Sequence, residues 1–250
     1  MTDAARSLAL LWGAQTKTGR SGLSLRGIVA AALAIADAHG LDAVSMRRLA
    51  EDLGVGTMSL YTHVPGKTEL TDLMIDSAYG ELYEDADEPR RQPGGWRGGL
   101  EFVARRNFEL HRRHPWLLAA ASVRPAFGPH AFVKYEAELR PLDGIGLTDV
   151  EMDAALSVIL SHVNGQAQLA ASLDAARRDM SDGEWWQTQA PLLESFSRGL
   201  DLPVAARVGE ASSVFYDGVA DPQHALTFGL GLILDGVEKL IAAKATPDAR

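Results

Sequence analysis

The amino-acid sequence predicts an all-α protein. Apolar residues recur at three- and four-residue spacing through most of the 250 residues. Ser, Thr or Asp precedes several of these segments, and Gly or Pro follows them, as expected where helices begin and end. No segment alternates apolar and polar residues as a half-buried strand does, and the sequence has no internal repeat.

Composition excludes several classes of protein. The chain contains no cysteine, so disulfides, thiolate catalysis and cysteine-based metal sites are ruled out. No apolar run approaches the roughly 18 residues needed to cross a bilayer, which predicts a cytoplasmic protein with no membrane contact. The net charge of −9 argues against general coating of nucleic acid. Residues 17–67, however, carry six basic and four acidic side chains, so a mildly basic head precedes an acidic body.

The N-terminal part is predicted to contain a leader, three helices and a linker helix. Ser24 and Ser45 are suited to be N-caps, and Gly40 and Gly54 follow the last periodic residues of the segments that they begin. The predicted elements are an arm or short helix in 1–22, helices after Ser24 and after Ser45, the short helix "TMSLYTHV" before Pro65-Gly66, and a linker helix over about 67–84.

A change of composition separates this head from the rest of the chain. The segment "EDADEPRRQPGGWRGG" is charged and rich in Pro and Gly, which is typical of a break. Beyond it, Thr148 and Glu151 form a capping box that begins an unusually long helix, and Ser181 and Glu184 repeat the pattern. The predicted later helices lie near 100–113 and 130–140, from Thr148 to about Arg178, after Ser181, and from Pro222. The predicted domains are 1–22, 23–70 and 71–250.

The stretch "LAEDLGVGTMSLYTHVPGK", residues 49–67, has the pattern of two short helices joined by a tight turn. Gly54 suits a left-handed turn after the first helix. The apolar residues that we expect to pack inside are Leu49, Leu53, Val55, Leu60 and Val64. Hydroxyl, phenol and imidazole groups are left outside, where they can reach phosphate oxygens and base edges. The pattern therefore favours DNA binding, although any helical hairpin with an uncharged exposed face remains an alternative.

The landmarks "AHGLDAVSMRRLAEDLGV" and "SLYTHVPGKTEL" resemble the DNA-binding domain of the tetracycline-repressor (TetR/AcrR) family of bacterial regulators. "HPWLLAAA" and "FGLGLILDGVEKLI" resemble the C-terminal domain of that family in layout. The resemblance implies an all-α homodimer with a helix-turn-helix head, a linker helix, and a C-terminal ligand-binding and dimerisation domain. By position it assigns DNA contacts to Ser45, Met46 and Arg47 on the second helix, to Thr57, Met58, Ser59, Tyr61, Thr62 and His63 on the recognition helix, and to Lys67.

The last helix, "PQHALTFGLGLILDGVEKLIAAK", is apolar over a wide arc. One stripe contains Gly229, Leu232 and Gly236, and a second stripe on the adjacent face contains Leu230 and Val237. A helix with this pattern is buried on more than one side. A second copy of the chain is the simplest partner for the outer side, and a fully buried helix in a monomer is the alternative.

A small-molecule effector site is predicted in the C-terminal domain, which is rich in aromatic residues and in polar groups on apolar helices. The candidate pocket residues are Trp116, Tyr135, His162 and Gln166. An ordinary core with a polar dimer seam would also explain these residues.

Other chemistry is not favoured by the sequence. His111 and His114 are spaced like half of a metal site, but "HRRHP" is more typical of the basic end of a helix. "GLGLIL" lacks the third glycine and the preceding strand of a dinucleotide site. With no catalytic motif, cofactor or metal expected, the prediction is a repressor that binds a palindromic operator and is released by an effector. The alternative is a helical ligand carrier or enzyme whose helix-turn-helix is incidental.

Overall fold

The computed structural model describes residues 3–13, 23–120, 126–197 and 199–245. Within these ranges the chain forms twelve α-helices and no strand, which confirms the predicted all-α class. The helices are α1 Asp3–Leu11, α2 Leu25–His39, α3 Met46–Asp52, α4 Thr57–Tyr61, α5 Lys67–Tyr79, α6 Gly95–Arg113, α7 Trp116–Ala120, α8 Pro129–Leu139, α9 Asp149–Asp179, α10 Asp182–Phe196, α11 Pro203–Tyr216 and α12 Pro222–Ala245. Within the segment 1–22, predicted as an arm or short helix, residues 3–11 form α1, and residues 14–22 lie outside the described residues.

Side-chain caps begin the helices where the sequence predicts them. Ser45 Oγ accepts a hydrogen bond from the Arg48 N–H at 3.2 Å, and Ser24 caps α2 in the same way. Thr148 begins α9 through a reciprocal capping box with Glu151, and Ser181 does the same for α10. Because each cap satisfies N–H groups that the helix itself leaves unpaired, local sequence fixes these starting points.

The linker helix α5 is shorter than the sequence predicts, since it ends at Tyr79 instead of near residue 84. The carbonyls of Glu81 and Leu82 accept hydrogen bonds from the Arg106 guanidinium, at 2.9 and 2.7 Å. A continued helix would have directed those carbonyls to later N–H groups of its own chain. The guanidinium of α6 therefore stabilises a turn at the point where periodicity alone predicts more helix.

Two hydrophobic clusters organise the packing. The first joins α2, α3, α4 and α5, and it also includes Trp116 and Leu117 of α7. The second joins α6 with α9 and α12, around Leu100, Ile159 and Leu234, each fully buried. Tyr83 packs against both clusters, so the head and the body meet just after α5. None of the described helices combines the length and apolar character needed to cross a bilayer.

Candidate DNA-binding surface and effector pocket

The helix-turn-helix is formed by α3 and α4 around a small apolar core. Leu49, Leu60 and Val64 are completely buried, while Leu53 and Val55 pack against them in partly buried positions. Gly54 has a φ of +65°, which is the left-handed conformation that the turn requires. This packing fixes the orientation of α4 and directs its opposite face to solvent.

Several predicted DNA contacts lie on that solvent face. Met58 is 76% exposed and Tyr61 is 44% exposed, and Thr62 is also exposed. The Thr62 hydroxyl donates a hydrogen bond to the Ser59 carbonyl at 2.6 Å, so its proton is already used, while its methyl group and its oxygen lone pairs are left for other contacts. Thr57, Ser59 and His63 are half-buried at the edges of the face. The surface is therefore small, mixed in polarity and accessible.

Basic groups lie beside this face. The Arg47 side chain on α3 is 87% exposed. Its Nε lies 3.8 Å from a carboxylate oxygen of Glu51, which is a long contact and leaves most of the guanidinium donors free. Lys67 begins α5, and its Nζ donates to the Leu41 carbonyl at 3.3 Å. The exposed Lys67 ammonium and the exposed Arg47 guanidinium are both suited to contact DNA phosphates.

Ser45 and Met46, the remaining two predicted DNA contacts, differ from each other. Ser45 is exposed, but its hydroxyl already caps α3. Met46 is 8% exposed and belongs to the core of the head. A DNA contact by the Met46 side chain is therefore not supported, because the side chain is used in packing.

The body contains an aromatic cavity of about 360 Å³. It lies between α5, α8 and α9 together with the segment that precedes α8, and its walls are mostly apolar. Its lining residues include Tyr79, Phe127, Ala131, Phe132, Lys134, Tyr135, Glu138 and Leu160. This size and character are typical of a site for a small, largely apolar molecule.

A buried polar network lies at the wall of this aromatic cavity. Glu138 is 1% exposed, and its carboxylate accepts hydrogen bonds from Lys134 at 2.6 Å, Asn107 at 2.7 Å and Tyr83 at 2.9 Å. Burial, followed by the nearby Glu138 charge, raises the pKa of Tyr83 well above its usual value. The Lys134 ammonium also lies 5.5 Å from the centre of the Tyr79 ring. These contacts fix a cation and polar groups beside an otherwise apolar space.

Of the four predicted effector residues, the structure places Tyr135 in the wall of the aromatic cavity and the other three elsewhere. Trp116 is buried in the head core, where its Nε1–H donates to Asp37 at 2.8 Å. His162 packs against Gly229 and lies 3.1 Å from the Leu226 carbonyl, so it joins α9 to α12. Gln166 lies one turn further along the same side of α9. Three of the four predicted residues therefore do not line this cavity, and an effector-binding role for any of the four stays a prediction.

His111 is another polar residue near this region. From the sequence, we expected it to belong to the basic end of a helix and not to half of a metal site. Burial lowers its pKa to about 4, against a smaller opposing effect of a hydrogen bond with Asn164. Its Nδ1 is buried with no hydrogen-bond partner among the described residues. The imidazole is therefore neutral near pH 7 and suited to hydrogen bonding. A group of three or more side chains able to bind a metal is absent from the part of the chain that the structure describes.

Two sets of buried or partly buried hydrogen bonds connect α5 and α2 of the head to helices of the body. Asp76 of α5 is 5% exposed and accepts hydrogen bonds at 2.9 Å from the Ala131 N–H and from His130 Nδ1, so it caps α8 from another helix. Asp37 of α2 lies 2.7 Å from His114 Nδ1 and also accepts the Trp116 bond. The Asp76 contact joins α5 to α8 beside the cavity, and the Asp37 contact joins α2 to the end of α6 and the start of α7.

A helix-turn-helix that exposes one face of its second helix, joined to a helical body with an aromatic cavity, defines a DNA-binding transcriptional regulator. Comparison with models of known protein families supports the same class of protein and identifies a particular family within it. Residues 28–74 match the model of the bacterial regulatory proteins of the tetR family, and residues 88–241 match that of the tetracyclin repressor-like C-terminal domain. The chain belongs to the TetR family.

Similar proteins are repressors or regulators of this family. The chain is 41% identical to the HTH-type transcriptional repressor DrrR1 of Streptomyces coeruleorubidus, over 97% of this chain and 88% of the relative. It is 28% identical to the tetracycline repressor protein class C of Escherichia coli, over 87% and 92% of the two chains. The crystal structure of apo ActR from Streptomyces coelicolor aligns with a TM-score of 0.69 at 27% identity, covering 89% of this chain and 97% of ActR.

Two further structures of ActR were solved with small molecules. One is in complex with (S)-DNPA, with a TM-score of 0.68 at 27% identity, covering 87% of this chain and 98% of ActR. The other is in complex with actinorhodin, with a TM-score of 0.66 at 28% identity, covering 88% and 98%.

Proposed function

We propose that this regulator represses transcription by binding a palindromic operator as a homodimer in the cytoplasm, and that a small aromatic effector releases it. The exposed outer face of α4, held in place by the packing of Leu49, Leu60 and Val64, is the observation that carries the proposal. A helix held in this way presents side chains to the major groove, while phosphate contacts on either side fix its register.

The proposed dimer forms through the outer faces of α9 and α12. Phe228 and Leu232 on α12 are 63% and 59% exposed, and Val158 on α9 is 53% exposed. An apolar groove between the two helices contains Ala154, Val158, Leu232 and Gly236. Apolar surface exposed in this continuous way marks an association site, and a second copy of the same face covers it in a two-fold dimer.

The exposed helices α10 and α11 support the same assembly. Neither helix has a buried side chain, although large apolar residues such as Trp185, Phe196 and Phe215 lie on them. The last two are 83% and 67% exposed. Among the described residues Phe215 makes ring contacts with Tyr216 and His224, but much of the apolar surface on these two helices is left exposed. Packing of the two helices on a second copy would remove this apolar surface from water.

The proposed effector site is the aromatic cavity at α5, α8 and α9. Phe127, Phe132 and Tyr135 suit a flat aromatic molecule, and Lys134 suits an oxygen acceptor or a partial negative charge on it. The 28%-identical ActR binds actinorhodin, which supports an aromatic effector for this chain too. Because α5 begins at Lys67 and reaches the cavity at Tyr79, a shift of this helix would change the separation of the two heads in the dimer.

The DNA-binding half of the proposal is tested with single substitutions on the head. Lys67→Ala should weaken operator binding equally across sequences and reduce the slope of log K against log salt by about one unit, because one phosphate contact is lost. Tyr61→Ala should also weaken binding across sequences, whereas Thr57→Ala should change base preference. Electrophoretic shift titrations against operator fragments selected from the source genome, at several salt concentrations, measure these effects.

The control for this experiment is Arg90→Ala, which removes an exposed basic side chain from the loop between α5 and α6, outside both the helix-turn-helix and the helices of the proposed dimer interface. It should leave both the affinity and the salt slope at parent values. If Tyr61→Ala and Lys67→Ala bind the operator as tightly as the parent protein does, the assigned DNA surface is incorrect.

The effector half of the proposal requires reciprocal linkage. Actinorhodin is the first probe, followed by other flat aromatic compounds, and each is titrated calorimetrically with and without operator DNA. A true effector should bind the free protein roughly 5- to 150-fold more tightly than the operator complex, the usual range of coupling between two sites. The same factor must describe the loss of operator affinity when the effector is saturating. Equal affinities in the two titrations exclude that compound as an effector.

A further inference from the structure

Helix α1 lies before the helix-turn-helix and is outside the segment that matches the family's DNA-binding domain, residues 28–74. Leu10 is 5% exposed and belongs to the hydrophobic core of the head, and Leu11 packs against that core. The Ser7 hydroxyl donates to Glu69 on α5 at 3.4 Å. The helix is therefore packed on the head beside the first turn of α5, where Lys67 lies.

The residue after α1 reaches the effector side of the molecule. The Trp12 Nε1–H donates a hydrogen bond to the Phe127 carbonyl at 3.0 Å. The Trp12 ring lies 5.9 Å from the Phe132 ring, and Phe127 and Phe132 are themselves 6.1 Å apart, so the three rings form one aromatic cluster. Phe127 and Phe132 both line the aromatic cavity. Trp12 thus contacts the outside of the wall that an occupant of the cavity would contact from within.

These contacts connect the cavity to the head by a route that does not run along α5. A change in the position of Phe127 or Phe132 would break the hydrogen bond to the Trp12 indole or move the ring. Since Leu10 and Leu11 are fixed in the head core, that change would be transmitted to the packing of α1 against α5. The indole N–H has a single partner on the cavity wall, and the ring is 55% exposed, so few other contacts hold it in place.

We propose that Trp12 is a positioning residue that anchors α1 to the rim of the effector pocket and so transmits the state of the pocket to the DNA-binding head. This inference rests on the proposed effector pocket. It assigns a regulatory role to α1, which lies outside residues 28–74, the segment that matches the family's DNA-binding domain. In this proposal the aromatic cluster of Trp12, Phe127 and Phe132 contacts the effector on one side and is joined to α1 on the other.

The experiment measures amide hydrogen exchange in α1, residues 3–11, in the full-length protein without DNA or effector. Trp12→Ala should raise exchange in α1 by roughly tenfold, because it removes a hydrogen bond and an aromatic contact. Phe132→Ala, which changes only the pocket side, should raise exchange in the same helix. The double variant should exchange no faster than Trp12→Ala alone, because the ring contact that Phe132→Ala removes is already lost with Trp12. Trp12→Phe keeps a ring and should lie in between.

Leu8→Ala is the matched control, because Leu8 lies on the same helix, is 42% exposed and is absent from the aromatic cluster. It should leave exchange in α1 unchanged. Exchange in α12 serves as an internal measure of global stability for every variant. Parent-level exchange in α1 of Phe132→Ala, or equal acceleration by Leu8→Ala, overturns the anchoring role.

Operator titration completes the test. Trp12→Ala and Phe132→Ala should both weaken operator binding, Trp12→Ala by the larger factor, within roughly 2- to 30-fold, the range found for coupling through intermediate residues. Faster exchange in α1 with unchanged operator affinity would show that Trp12 holds α1 in place without affecting the DNA-binding head. That result would overturn the inference. Failure of the proposed function is recognised separately, because it would appear as parent-level operator binding by Lys67→Ala whatever α1 does.

Discussion

Gly236→Arg is expected to convert the proposed dimer into monomers of 26.8 kDa. A Cβ atom at residue 236 would meet nothing within 4 Å among the described residues of its own chain, so the first atom of the new side chain fits without displacing a neighbour in the protomer. The position lies in the apolar groove between α9 and α12, next to Leu232 and Val158. In the proposed two-fold dimer, the substitution places two guanidinium groups in one apolar seam, and each would be desolvated without a partner.

Loss of the dimer has a large effect on operator binding. Each head alone contacts one half-site, whereas a dimer binds two half-sites about one helical turn apart, or a multiple of it. Linked binding typically exceeds that of a single module by roughly 10²- to 10⁴-fold, and this is the expected loss of operator affinity. Sedimentation equilibrium measures the mass, and the same preparations are used for operator titrations.

Gly236→Ala is the control at the same position. A methyl group has the space that it needs, and alanine is the better helix former, so this variant should remain a dimer with parental operator affinity. Circular dichroism of both variants checks that the helices are intact. A mass of twice 26.8 kDa for Gly236→Arg, or of 26.8 kDa for the parent protein, would contradict the proposed α9–α12 interface.

The features that the sequence predicts correctly are those that depend on neighbouring residues. The caps at Ser24, Ser45, Thr148 and Ser181 are local hydrogen bonds, so residue type and spacing suffice to predict where their helices begin. The inward and outward faces of the helix-turn-helix follow from helical periodicity in the same way. Met46 is the instructive exception, because a residue assigned to DNA by position in the family packs into the core of this head.

The pocket could not be predicted as well, because its residues converge from helices that are distant in sequence. Whether a polar residue of α9 faces α8 or α12 depends on the rotation of that helix in the bundle, and His162 faces α12. Trp116 follows α6 in sequence but packs into the core of the head. The end of α5 depends on Arg106, 24 residues beyond the Leu82 carbonyl that it binds. These features are tertiary, and periodicity along one helix carries no information about them.

Glu138→Ala is expected to lower the free energy of unfolding by about 3–5 kcal/mol, the usual cost of breaking a buried ion pair by removing one partner. The carboxylate is 1% exposed and accepts from three donors, and the Lys134 side chain is only 13% exposed. Removing Glu138 leaves the ammonium, the Asn107 amide and the Tyr83 hydroxyl without their shared acceptor. Urea unfolding at constant protein concentration measures the change.

Two further variants separate the charge from the hydrogen bonds. Glu138→Gln keeps an acceptor for Asn107 and Tyr83 but leaves the Lys134 charge unbalanced, so its loss of stability should be smaller than that of Glu138→Ala. Adding Lys134→Met to Glu138→Gln removes the unbalanced charge and should restore much of the stability, since buried ion pairs are often replaceable by apolar groups. The double variant should nevertheless bind polar aromatic effectors less well, because the cavity has lost its cation. If Lys134→Met fails to stabilise the Glu138→Gln protein, the ammonium is not held in a buried environment and its assigned role beside the effector is incorrect.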